Sequence, residues 1–444
     1  MKILHYSLGF PPYRSGGLTK FSMDLMREQI SEGHEVSLMW PGEMKLVNNN
    51  VSIKKGAPVD DIDSYEVINP LPVSYDEGIK DFDIFTAEGD IAVYEQFLDE
   101  LKPDVIHVHT LMGLHKSFLK AAKEKGIRLV FTTHDFFPVC PKVTMFRHGR
   151  ICASVSTCEE CGVCNNTALS LKKIQILQSS AYRAAKDTAI VRKMRKQHRD
   201  EYLGDDTGRD ENGSAGTAED YKNLRNNYHE MLSMMDVIHY NSTVAKTAYE
   251  SILQMPEGKV ISLSHSGISD NRKMKDFAGE TLRIRYLGAQ SAAKGYLLLK
   301  NALDELWKTR QDFVLDIHFE PVESAPYIRS HERFGYDELD KIFDETDVLI
   351  APSIWYETFG FTVLEALSYG VPVIISGTVG SKDILADGAG IVIDDINEQK
   401  IIDAVNSLNK DRLTKMNKAV IERQDIMTVS EMSQRILNEC YLEG

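Results

Sequence analysis

The chain has 444 residues, of which 43% are hydrophobic and 26% are charged. At about 150 residues per domain, this length predicts two or three globular domains. The formal net charge of −15 argues against nucleic acid as the main partner, because a surface that binds nucleic acid has to neutralise phosphates. No apolar run approaches the roughly 20 residues that span a bilayer, and the chain begins with a strand pattern rather than a signal peptide. We therefore expect a cytoplasmic protein whose six cysteines are thiols or metal ligands rather than disulfides.

The first residues predict a strand, a glycine loop, a helix and a second strand. Residues 2–7 have the apolar pattern of a buried strand, Gly16 and Gly17 lie in the loop after it, and a helix is predicted over residues 18–32. Open α/β sheets bind ligands at the carboxyl ends of their parallel strands. Because glycine lets the backbone approach a phosphate closely, Gly16 and Gly17 are candidate ligand-binding residues, although a plain turn is an equally good explanation of the pair.

Strands and helices continue to alternate through the first half of the chain. Residues 51–90 carry proline, glycine and acidic residues with little periodicity, and we expect a variable insertion there. Apolar runs predict further strands at residues 103–109, 129–133, 236–240 and 259–263. His107, His109 and His134 fall at or near strand ends. A buried histidine is most often a satisfied core residue, which is the interpretation we prefer for His107.

Five of the six cysteines lie in one segment, residues 140–164. They are Cys140, Cys152, Cys158, Cys161 and Cys164, and the last three have the spacing Cys-x2-Cys-x2-Cys. Four thiolates match the tetrahedral coordination of zinc, so a structural zinc ion is the leading hypothesis. An iron–sulfur cluster is an alternative, but the Cys-Pro that closes the bacterial cluster sequence is missing. Free thiols or a redox pair also remain open.

Residues 171–201 predict a helix that is rich in basic residues and has an apolar side. The basic residues are Lys172, Lys173, Arg183, Lys186, Arg192, Lys193, Arg195, Lys196 and Arg199. A charged run is usually a solvated face, yet in so acidic a chain a basic helix also suits peripheral contact with anionic lipid at the inner face of the membrane. Residues 204–220 lack periodicity and predict a flexible loop.

A polar stretch, residues 268–281, precedes a second unit of strand, loop and helix. The new strand is predicted at residues 283–288, with Gly288 at its end and Lys294 at the entrance to the next helix. Further strands are predicted at residues 313–319, 347–350, 371–375 and 390–393. Lys294 is suited to neutralise a leaving diphosphate, where negative charge develops, although a surface lysine is the commoner case.

Residues 347–370 carry the strongest ligand signal. Glu357 lies just before Phe359 and Gly360, and a helix that is apolar on most sides follows, with Glu365 on its body. Backbone N–H groups at a helix N-terminus hold phosphate charge, and carboxylates bind ribose or sugar hydroxyls. The segment therefore suits a nucleotide-sugar. Simple solvation of both glutamates is the poorer explanation in a segment that is otherwise apolar.

The same residues resemble the donor-site signature of the retaining glycosyltransferases of family 4. The matching residues are Glu357-Thr358-Phe359-Gly360, Glu365-Ala366-Leu367 and Gly370-Val371-Pro372-Val373. Three further features are similar to the family: the glycine pair, the Thr-x-His-Asp pattern that contains His134, and the spacing from Gly288 to Lys294. A subgroup of relatives has a cysteine-rich loop after His-Asp. The resemblance extends over residues 1–392.

This resemblance implies an α/β protein with two Rossmann-like domains facing across a cleft, the GT-B glycosyltransferase fold. Residues 1–268 would hold the acceptor, residues 282–428 the nucleotide-sugar donor, and a helix in residues 429–444 would cross back to the first domain. The implied reaction moves a sugar from a nucleoside-diphosphate sugar to a hydroxyl of a glycan or lipid-linked acceptor with retention of configuration. No metal is implied for catalysis. The commonest setting of such enzymes is the synthesis of cell-surface polysaccharide or glycoconjugates.

Roles for single residues follow from the same resemblance. The expected assignments are Glu365 to the ribose hydroxyls, Glu357 with the amides near Phe359 and Gly360 to the donor sugar, Lys294 with Gly17 to the diphosphate, and His134 to the reacting centre. Gly16 and Gly288 are also expected to bind the donor. Two positions depart from the family pattern. Ser266 stands where relatives often have asparagine, and Ala289 stands where they usually have arginine, so that either Arg283 or Arg285 replaces the missing base or turnover is weak.

Two alternative functions share this fold. A sugar-nucleotide epimerase would interconvert the nucleotide-sugar alone and give no product with any acceptor. A non-catalytic partner subunit would bind the sugar nucleotide without turnover, and Ala289 keeps this alternative open. The loops that select the sugar, the base and the acceptor cannot be deduced from the fold class.

Overall fold

The computed structural model describes residues 1–14, 16–45, 48–186, 188, 191 and 213–442. Within these residues two main sheets organise the chain, one formed between residues 2 and 260 and the other between residues 282 and 393. The predicted fold class is confirmed: the protein is α/β, with two Rossmann-like domains.

The first sheet runs in the order β10-β9-β6-β5-β1-β2-β4-β3 over the described residues. Its strands are β1 (Lys2–Tyr6), β2 (Glu35–Pro41), β3 (Ser52–Lys55), β4 (Asp63–Ile68), β5 (Val105–Val108), β6 (Arg128–Thr132), β9 (Val237–Tyr240) and β10 (Gly258–Val260), while β7 (Phe146–Arg147) and β8 (Arg150–Ile151) form a separate hairpin. Every neighbouring pair in the large sheet is parallel except β3 and β4.

Helices cover both faces of this sheet, as a parallel sheet requires. The described helices of the first domain are α1 (Gly17–Ser31), α2 (Phe82–Phe85), α3 (Ile91–Leu101), α4 (Lys116–Glu124), α5 (Cys161–Cys164), α6 (Leu171–Leu177), α7 (Ser180–Ala185), α8 (Ala218–Ser233) and α9 (Thr243–Glu250). Helix α1 buries Phe21 and Leu25 against the same apolar cluster as Ile3 of β1. Phe21 and Leu25 are about one helical turn apart, so they lie on the same face of α1, and this face packs against the sheet.

The second sheet has the strand order β13-β12-β11-β14-β15-β16 in the described residues, and all its pairs are parallel. Its strands are β11 (Leu282–Arg285), β12 (Phe313–Ile317), β13 (Ile328–Ser330), β14 (Val348–Ala351), β15 (Val373–Ser376) and β16 (Gly390–Ile393). Its helices are α10 (Tyr296–Trp307), α11 (Leu339–Asp344), α12 (Phe361–Ser368), α13 (Glu398–Asn406) and α14 (Lys410–Arg423), with short 3-10 turns at Tyr336–Glu338 and Gly380–Ile384. Counted within this domain, the order is 3-2-1-4-5-6, that of dinucleotide-binding Rossmann folds.

The sequence of strand β14 is apolar throughout because both faces of the strand are buried. Leu349 packs into one apolar cluster with Leu364 of α12, whereas the next residue, Ile350, packs into another with Leu299 of α10. Successive side chains point to opposite faces of a sheet, and both faces are covered here. A strand of this kind has no polar face to expose.

The last described residues lie on the first domain. Helix α15 (Val429–Ile436) packs against α1 and continues as a π-helical turn over Leu437–Leu442. The Arg128 guanidinium of β6 donates from Nε to the Cys440 carbonyl at 2.7 Å, and the Tyr441 hydroxyl lies 2.7 Å from His107 Nδ1 on β5. The last described residues therefore form part of the core of the first domain.

Each sheet has a switch point at which the order of its parallel strands reverses. In the first sheet, β1 lies between β2 and β5; in the second, β11 lies between β12 and β14. The loops that follow β11 and β14 leave the sheet in opposite directions, which opens a crevice at the carboxyl ends of these strands. Such switch points are where open α/β sheets bind ligands.

The structure corrects the interpretation of residues 51–90 as an insertion. They contribute β3 and β4 to the first sheet, with β4 parallel to β2 and β3 antiparallel to β4 at the edge. Lys54 and Lys55 of β3 and Glu66 of β4 are charged residues within these strands. Charged residues are usual at a sheet edge, and they hid the apolar periodicity on which the prediction relied.

The predicted basic helix over residues 171–201 is also corrected in its described part. It is two helices, α6 and α7, because Ser179 adopts an extended conformation between them and its hydroxyl accepts the Tyr182 N–H as the N-cap of α7. Residues 192–201 lie outside the described residues. Arg183 pairs with Glu66 at 2.7 Å, and Lys186 Nζ donates to the Tyr13 carbonyl at 2.9 Å, so both cations face the protein.

The predicted flexible loop over residues 204–220 ends earlier than expected. The Thr217 hydroxyl accepts the Asp220 N–H, and the Asp220 carboxylate accepts the Thr217 N–H, which forms a capping box at the start of α8. Residues 218–220 are therefore helical, and residues 204–212 lie outside the described residues. No helix within the described ranges combines the length and hydropathy that a membrane crossing needs.

Replacing Gly295 by alanine should destabilise the second domain. Gly295 has φ 74°, and a Cβ there would lie 2.0 Å from the Pro352 carbonyl oxygen. Gly126→Ala is the matched control, because Gly126 has φ 69° with nothing within 4 Å of an added Cβ. Left-handed backbone alone costs about 1–2 kcal/mol for alanine, so Gly295→Ala should lose about 3 kcal/mol or more once the Pro352 clash is included. Urea denaturation followed by fluorescence would measure this, and equal losses in both variants would contradict the Pro352 contact.

Candidate functional site

The candidate site is built on the two loops that leave the switch point of the second sheet. The buried Tyr286 hydroxyl donates to the Ala289 carbonyl at 2.7 Å, which fixes the loop after β11. The Ile354 N–H donates to the Ala293 carbonyl at 2.9 Å, which joins that loop to the one after β14. A Cβ at Gly288 would lie 2.4 Å from the Tyr286 hydroxyl, so this position has to be glycine if the loop is to keep its path.

Lys294 and Glu357 meet where these loops join. Lys294 Nζ lies 2.5 Å from Glu357 Oε1, and Ser353 Oγ donates to Glu357 Oε2 at 2.6 Å. The Lys294 ammonium also lies 5.4 Å from the centre of the Trp355 ring, within the range of a cation–π contact. Both residues were expected to bind one ligand, and the structure brings them into direct contact.

The protonation of Glu357 follows from these partners. Burial by itself would raise the pKa of the Glu357 carboxyl, but the Lys294 ammonium and the Ser353 hydroxyl lower it below its usual value. Glu357 is therefore a carboxylate at neutral pH, and its side chain is 16% exposed. The pair presents one cation and one anion at the carboxyl ends of β11 and β14.

Two helix N-termini converge beside this pair. Gly360 precedes α12 with φ 100°, a conformation that favours glycine, and a Cβ there would lie 3.5 Å from Glu357 Oε1. Gly17 begins α1 in the first domain, and a Cβ on it would lie 3.7 Å from the ring of Phe361, the first residue of α12. Gly16 precedes α1 and has open space where a side chain would project. The positive ends of two helix dipoles thus lie close together, which favours a bound anion.

Glu365 is held by a histidine that the sequence analysis did not assign. His265 Nδ1 accepts the Gly267 N–H at 3.0 Å, so the proton of the neutral ring is on Nε2, which lies 3.1 Å from Glu365 Oε1. Both side chains are buried. His265 therefore orients the Glu365 carboxylate, and its position in the segment Ser264-His265-Ser266-Gly267 between the domains was the only sequence signal for it.

Helix α1 contributes a second group of residues near Glu365. The Lys20 ammonium lies 4.6 Å from the centre of the Tyr336 ring and 3.1 Å from Asp24 Oδ2. Asp24 also accepts the N–H and hydroxyl of Ser266 at 3.0 and 2.9 Å. Burial would raise the Asp24 pKa, but Ser266 and Lys20 lower it. Serine at position 266 thus joins the segment between the domains to α1, and nothing in the sequence linked these residues.

His134 lies at the contact between the two domains. Its carbonyl accepts the Thr358 hydroxyl at 3.0 Å, one residue from Glu357. Its ring meets Phe21 of α1 edge-on at 4.7 Å, and its Nε2 lies 3.2 Å from His109 Nδ1. Burial, with a smaller contribution from His239, lowers the pKa of His134 to about 3. The imidazole is therefore neutral at physiological pH and retains some exposed surface.

Neither arginine that was expected to replace the base missing at Ala289 does so. Arg283 Nη2 pairs with Asp347 Oδ1 at 2.5 Å, at the amino end of β14 and so at the opposite end of the sheet from Lys294. Arg285 is buried and donates to the Thr346 hydroxyl at 3.2 Å. Both guanidinium groups are thus engaged by residues at the amino end of β14, and the expectation that one of them replaces the missing base is corrected.

The five clustered cysteines pack near one another in the first domain. Burial raises the pKa of Cys140 to about 11, with Cys164 adding to the effect, and a hydrogen bond with Cys161 lowers the pKa of Cys158. All six cysteines are free thiols. In the described part of the chain, the only group of three or more potential ligands whose ligand atoms lie within 4.8 Å of one another is His5, His107 and His109. The thiols do not form such a group, and the zinc site stays a prediction.

Two family models match the chain, one in each domain. The model described as Glycosyltransferase Family 4 matches residues 15–154, and the model described as Glycosyl transferases group 1 matches residues 320–425. Together the two matched ranges make up more than half of the chain. The second range contains Glu357, Gly360 and Glu365, and the first contains Gly16, Gly17 and His134.

Three curated proteins show the range of relatives. An uncharacterised 42.6 kDa protein in the cps region of Klebsiella pneumoniae is 21% identical over 290 residues, 65% of this chain and 60% of that protein. An uncharacterised 41.2 kDa protein in the same region is 29% identical over 137 residues, 29% of this chain and 37% of that protein. A sulfoquinovosyl transferase of Arabidopsis thaliana is 26% identical over 204 residues, 41% of this chain and 40% of that protein. The chain thus spans between 37% and 60% of the length of these relatives.

Solved glycosyltransferase structures share the fold over nearly the whole chain. The Anabaena protein HepE, in complex with UDP and glucose, is 12% identical with a TM-score of 0.54 and full coverage of both chains. The trehalose 6-phosphate synthase of Burkholderia multivorans is 12% identical with a TM-score of 0.56, and the match covers 99% of this chain and 96% of that one. With a family 4 match in the first domain, a group 1 match in the second and the GT-B fold around both, the chain belongs to the family 4 type of glycosyltransferases.

Proposed function

We propose that the protein transfers a sugar from a nucleoside-diphosphate sugar to a hydroxyl of a glycan or lipid-linked acceptor, with retention of configuration. The observation that carries the proposal is the Lys294–Glu357 pair, held at 2.5 Å where the loops after β11 and β14 meet. The pair offers a cation for a diphosphate and a carboxylate for sugar hydroxyls within one ligand's reach. HepE, which has the same fold, has been solved with UDP-glucose.

The diphosphate is proposed to bind between Lys294 and the two helix N-termini. Lys294 would exchange its bond to Glu357 for one to a phosphate oxygen, because a charge-assisted bond to the more highly charged group is the stronger one. A Cβ on Gly17 would lie 3.7 Å from the Phe361 ring, so α1 and α12 begin close to each other. The backbone N–H groups there would stabilise the charge that develops on the leaving diphosphate.

The rest of the donor is proposed to lie along α12. Glu365, oriented by His265, would accept hydrogen bonds from the ribose hydroxyls, and Glu357, once released by Lys294, would accept them from the sugar. His134 would contact the reacting sugar from the first domain, since its carbonyl and Glu357 are linked through Thr358. No protein nucleophile is needed, because the leaving phosphate takes the acceptor proton on the face where the sugar departs. Catalysis then depends on position and on charge stabilisation.

The product is proposed to be part of a surface polysaccharide or glycoconjugate. Two of the relatives are encoded in a cps region, and a third is named a sulfoquinovosyl transferase. Peripheral contact with anionic lipid would bring the enzyme to a lipid-linked acceptor. In the described residues this contact is left to Lys172 and Lys173, which are exposed, since Arg183 and Lys186 bind the protein.

A non-catalytic sugar-nucleotide-binding subunit is the second candidate function. It is favoured by Ala289, because neither Arg283 nor Arg285 reaches the position of the missing base. Release of UDP from UDP-glucose, or of the matching diphosphate from another donor, in the presence of lipid-linked or oligosaccharide acceptors would distinguish the two. Binding without release supports the subunit, and interconversion of the nucleotide-sugar alone would indicate an epimerase.

Nucleotide binding should depend on Glu365. We expect one nucleotide among UDP, GDP, ADP and their sugar derivatives to raise the melting temperature, because a ligand at about 100 times its Kd stabilises the native state by roughly 2.7 kcal/mol. Glu365→Gln should weaken binding of that nucleotide by about 1–3 kcal/mol, since a ribose hydroxyl loses a charged acceptor. Isothermal titration calorimetry would measure the loss, with Glu422→Gln, a 54% exposed residue of α14, as the control. Unchanged affinity in Glu365→Gln would exclude Glu365 from the nucleotide site.

Replacing Lys294 should reduce both donor binding and stability, with a definite pH dependence. Glu357 has a lowered pKa, so the pair stabilises the fold above the unfolded carboxyl value of about 4.5 and loses this contribution as the pH falls through the lower folded value. We expect Lys294→Met to cost about 3 kcal/mol at pH 7 and less toward pH 4. Melting temperatures across this range would measure it. Lys418→Met, which breaks an exposed pair with Glu422, should cost about 0.5 kcal/mol or less. A pH-independent loss would contradict the ion pair.

The cysteine loop is proposed to hold a structural zinc ion. Protein purified without a histidine tag should contain about one zinc per chain, and paired Cys158→Ser and Cys161→Ser replacements should abolish it, because two of four thiolates would be lost. Inductively coupled plasma mass spectrometry would measure zinc and iron together. Iron in place of zinc would indicate a cluster, and the absence of both metals would remove the proposal. Cys440→Ser is the control, since Cys440 lies in the C-terminal π-helical turn.

A further inference from the structure

Five histidines gather in the core of the first domain. His5 lies on β1, His107 on β5 and His239 on β9, while His109 and His134 follow β5 and β6. The first four are buried, and their rings are joined to that of His134 through a continuous series of hydrogen bonds. Because a neutral imidazole has one N–H and one lone pair, the direction of one bond fixes the direction of the next.

One end of the series is fixed by the backbone. The Ile261 carbonyl can only accept, so His239 Nε2, at 2.8 Å, carries the proton of that ring. His239 Nδ1 then has to accept, and it receives the Thr132 hydroxyl proton at 2.9 Å. Burial lowers the pKa of His239 to about 4, so at neutral pH the ring has no second proton to offer.

Thr132 sets the direction of the next hydrogen bonds, which lead through His107 to Tyr441. Having donated to His239, the Thr132 hydroxyl accepts from His107 Nε2 at 2.6 Å. His107 Nδ1 accordingly accepts, and the Tyr441 hydroxyl donates to it at 2.7 Å. The Tyr441 hydroxyl has no second proton to donate, so its oxygen accepts a hydrogen bond from the Gln29 amide N–H at 3.1 Å.

The orientation of the Gln29 amide sets the direction of the hydrogen bonds that lead to His134. Its carbonyl oxygen accepts from His5 Nε2 at 2.8 Å, so His5 Nδ1 accepts from His109 Nε2 at 2.9 Å. His109 Nδ1 in turn accepts from His134 Nε2 at 3.2 Å. Every member has one donor and one acceptor role, and reversing one ring would place two N–H groups or two lone pairs face to face in the core, which is costly.

The same series accounts for the three clustered histidines His5, His107 and His109, whose ligand atoms lie within 4.8 Å of one another. A metal ion would need their lone pairs. In the described arrangement the Nδ1 lone pair of each ring already accepts a hydrogen bond, from His109, Tyr441 and His134 respectively. Hydrogen bonding therefore explains the cluster without a metal ligand set.

We propose that this series holds His134 in the tautomer with its proton on Nε2, so that Nδ1 is a fixed hydrogen-bond acceptor at the sugar site, and that Tyr441 is a positioning residue that acts on His134 through it. His134 Nδ1 has no hydrogen-bond partner among the described residues. The role of Nδ1 toward a sugar rests on the proposed function. A fixed lone pair accepts a hydrogen bond from a hydroxyl of the donor sugar or of the acceptor and cannot donate one. The hydrogen bonds of the core therefore select for a hydroxyl that is oriented to donate to Nδ1.

Tyr441→Phe should release the tautomer of His134. Without the hydroxyl, Gln29 is free to turn its amide, and the segment from Gln29 through His5 and His109 to His134 loses its fixed direction. Thr132→Val breaks the series nearer to Ile261 and should act in the same way. We expect the Nδ1-protonated form of His134 to rise from a minor species, at least about tenfold below the Nε2 form, to on the order of half of the molecules.

The measurement is long-range ¹H–¹⁵N correlation on ligand-free protein with ¹⁵N-labelled histidine, with His134 assigned by its loss in His134→Gln. Tyr221→Phe is the matched control, because the buried Tyr221 hydroxyl donates to the Ile79 carbonyl at 2.7 Å outside the series, and it should leave His134 unchanged. A wild-type His134 protonated on Nδ1, or a His134 that is unchanged in both Tyr441→Phe and Thr132→Val, would overturn the proposal.

This readout is independent of the proposed function, since no donor is present. With a donor in hand, Tyr441→Phe should retain the nucleotide affinity of the wild type, because Glu365 and Lys294 are untouched, while kcat falls about twofold if only half of the molecules hold the competent tautomer. A failed tautomer measurement therefore counts against the hydrogen-bonded series alone, and a protein without donor binding counts against the transferase proposal alone.

Discussion

The parallel pairing of β11 with β14 is the constraint on which the candidate site depends. Parallel strands need a crossover connection, so the chain leaves each strand at its carboxyl end and returns on a face of the sheet. Where two crossovers turn in opposite directions, their loops separate and their helices begin side by side. Lys294 and Glu357 occupy these two loops, and their contact requires no special fold element beyond the strand order 3-2-1-4-5-6.

Contacts between the domains surround this point. The Thr358 hydroxyl donates to the His134 carbonyl, and the Ser242 hydroxyl donates to the Thr358 carbonyl at 2.6 Å. The Asp383 carboxylate accepts the Thr243 hydroxyl at 2.6 Å at the N-terminus of α9. A donor bound at the proposed site would therefore adjoin groups that also hold the domains together, and its binding would be coupled to domain position through the same few bonds.

Positive charge at the candidate site comes from side chains and from helix N-termini. The alanine at position 289 leaves Lys294 as the cation of the loop after β11, while Lys20 of α1 lies near Tyr336 on the side of Glu365. Because α1 and α12 both direct their N-termini to this region, part of the positive potential comes from backbone dipoles rather than from side chains. If the site binds a diphosphate as proposed, these backbone dipoles would stabilise its charge together with Lys294.

The sequence by itself determined the fold class, the strands of both sheets that are apolar throughout, and the segments that contain Gly17, Lys294, Glu357 and Glu365. Local patterns suffice there, because a strand buried on both faces and a helix entrance leave their mark on consecutive residues. Strands β3 and β4 in residues 51–90 were not predicted, since charged residues in both strands break the apolar period. The break at Ser179 was missed because a serine cap inside a long helical pattern is a weak signal.

Only the tertiary structure decided which residues are partners. The bonds from His265 to Glu365, from Ser266 to Asp24 and from Tyr441 to His107 join segments that lie far apart in the chain. Neither hydrophobic periodicity nor composition carries information about such pairs, because only the folded chain brings the two side chains into contact. The direction of hydrogen bonding from Ile261 to His134 is a property of the assembled core for the same reason: each ring acquires its tautomer from the next one, and the order of the rings exists only in three dimensions.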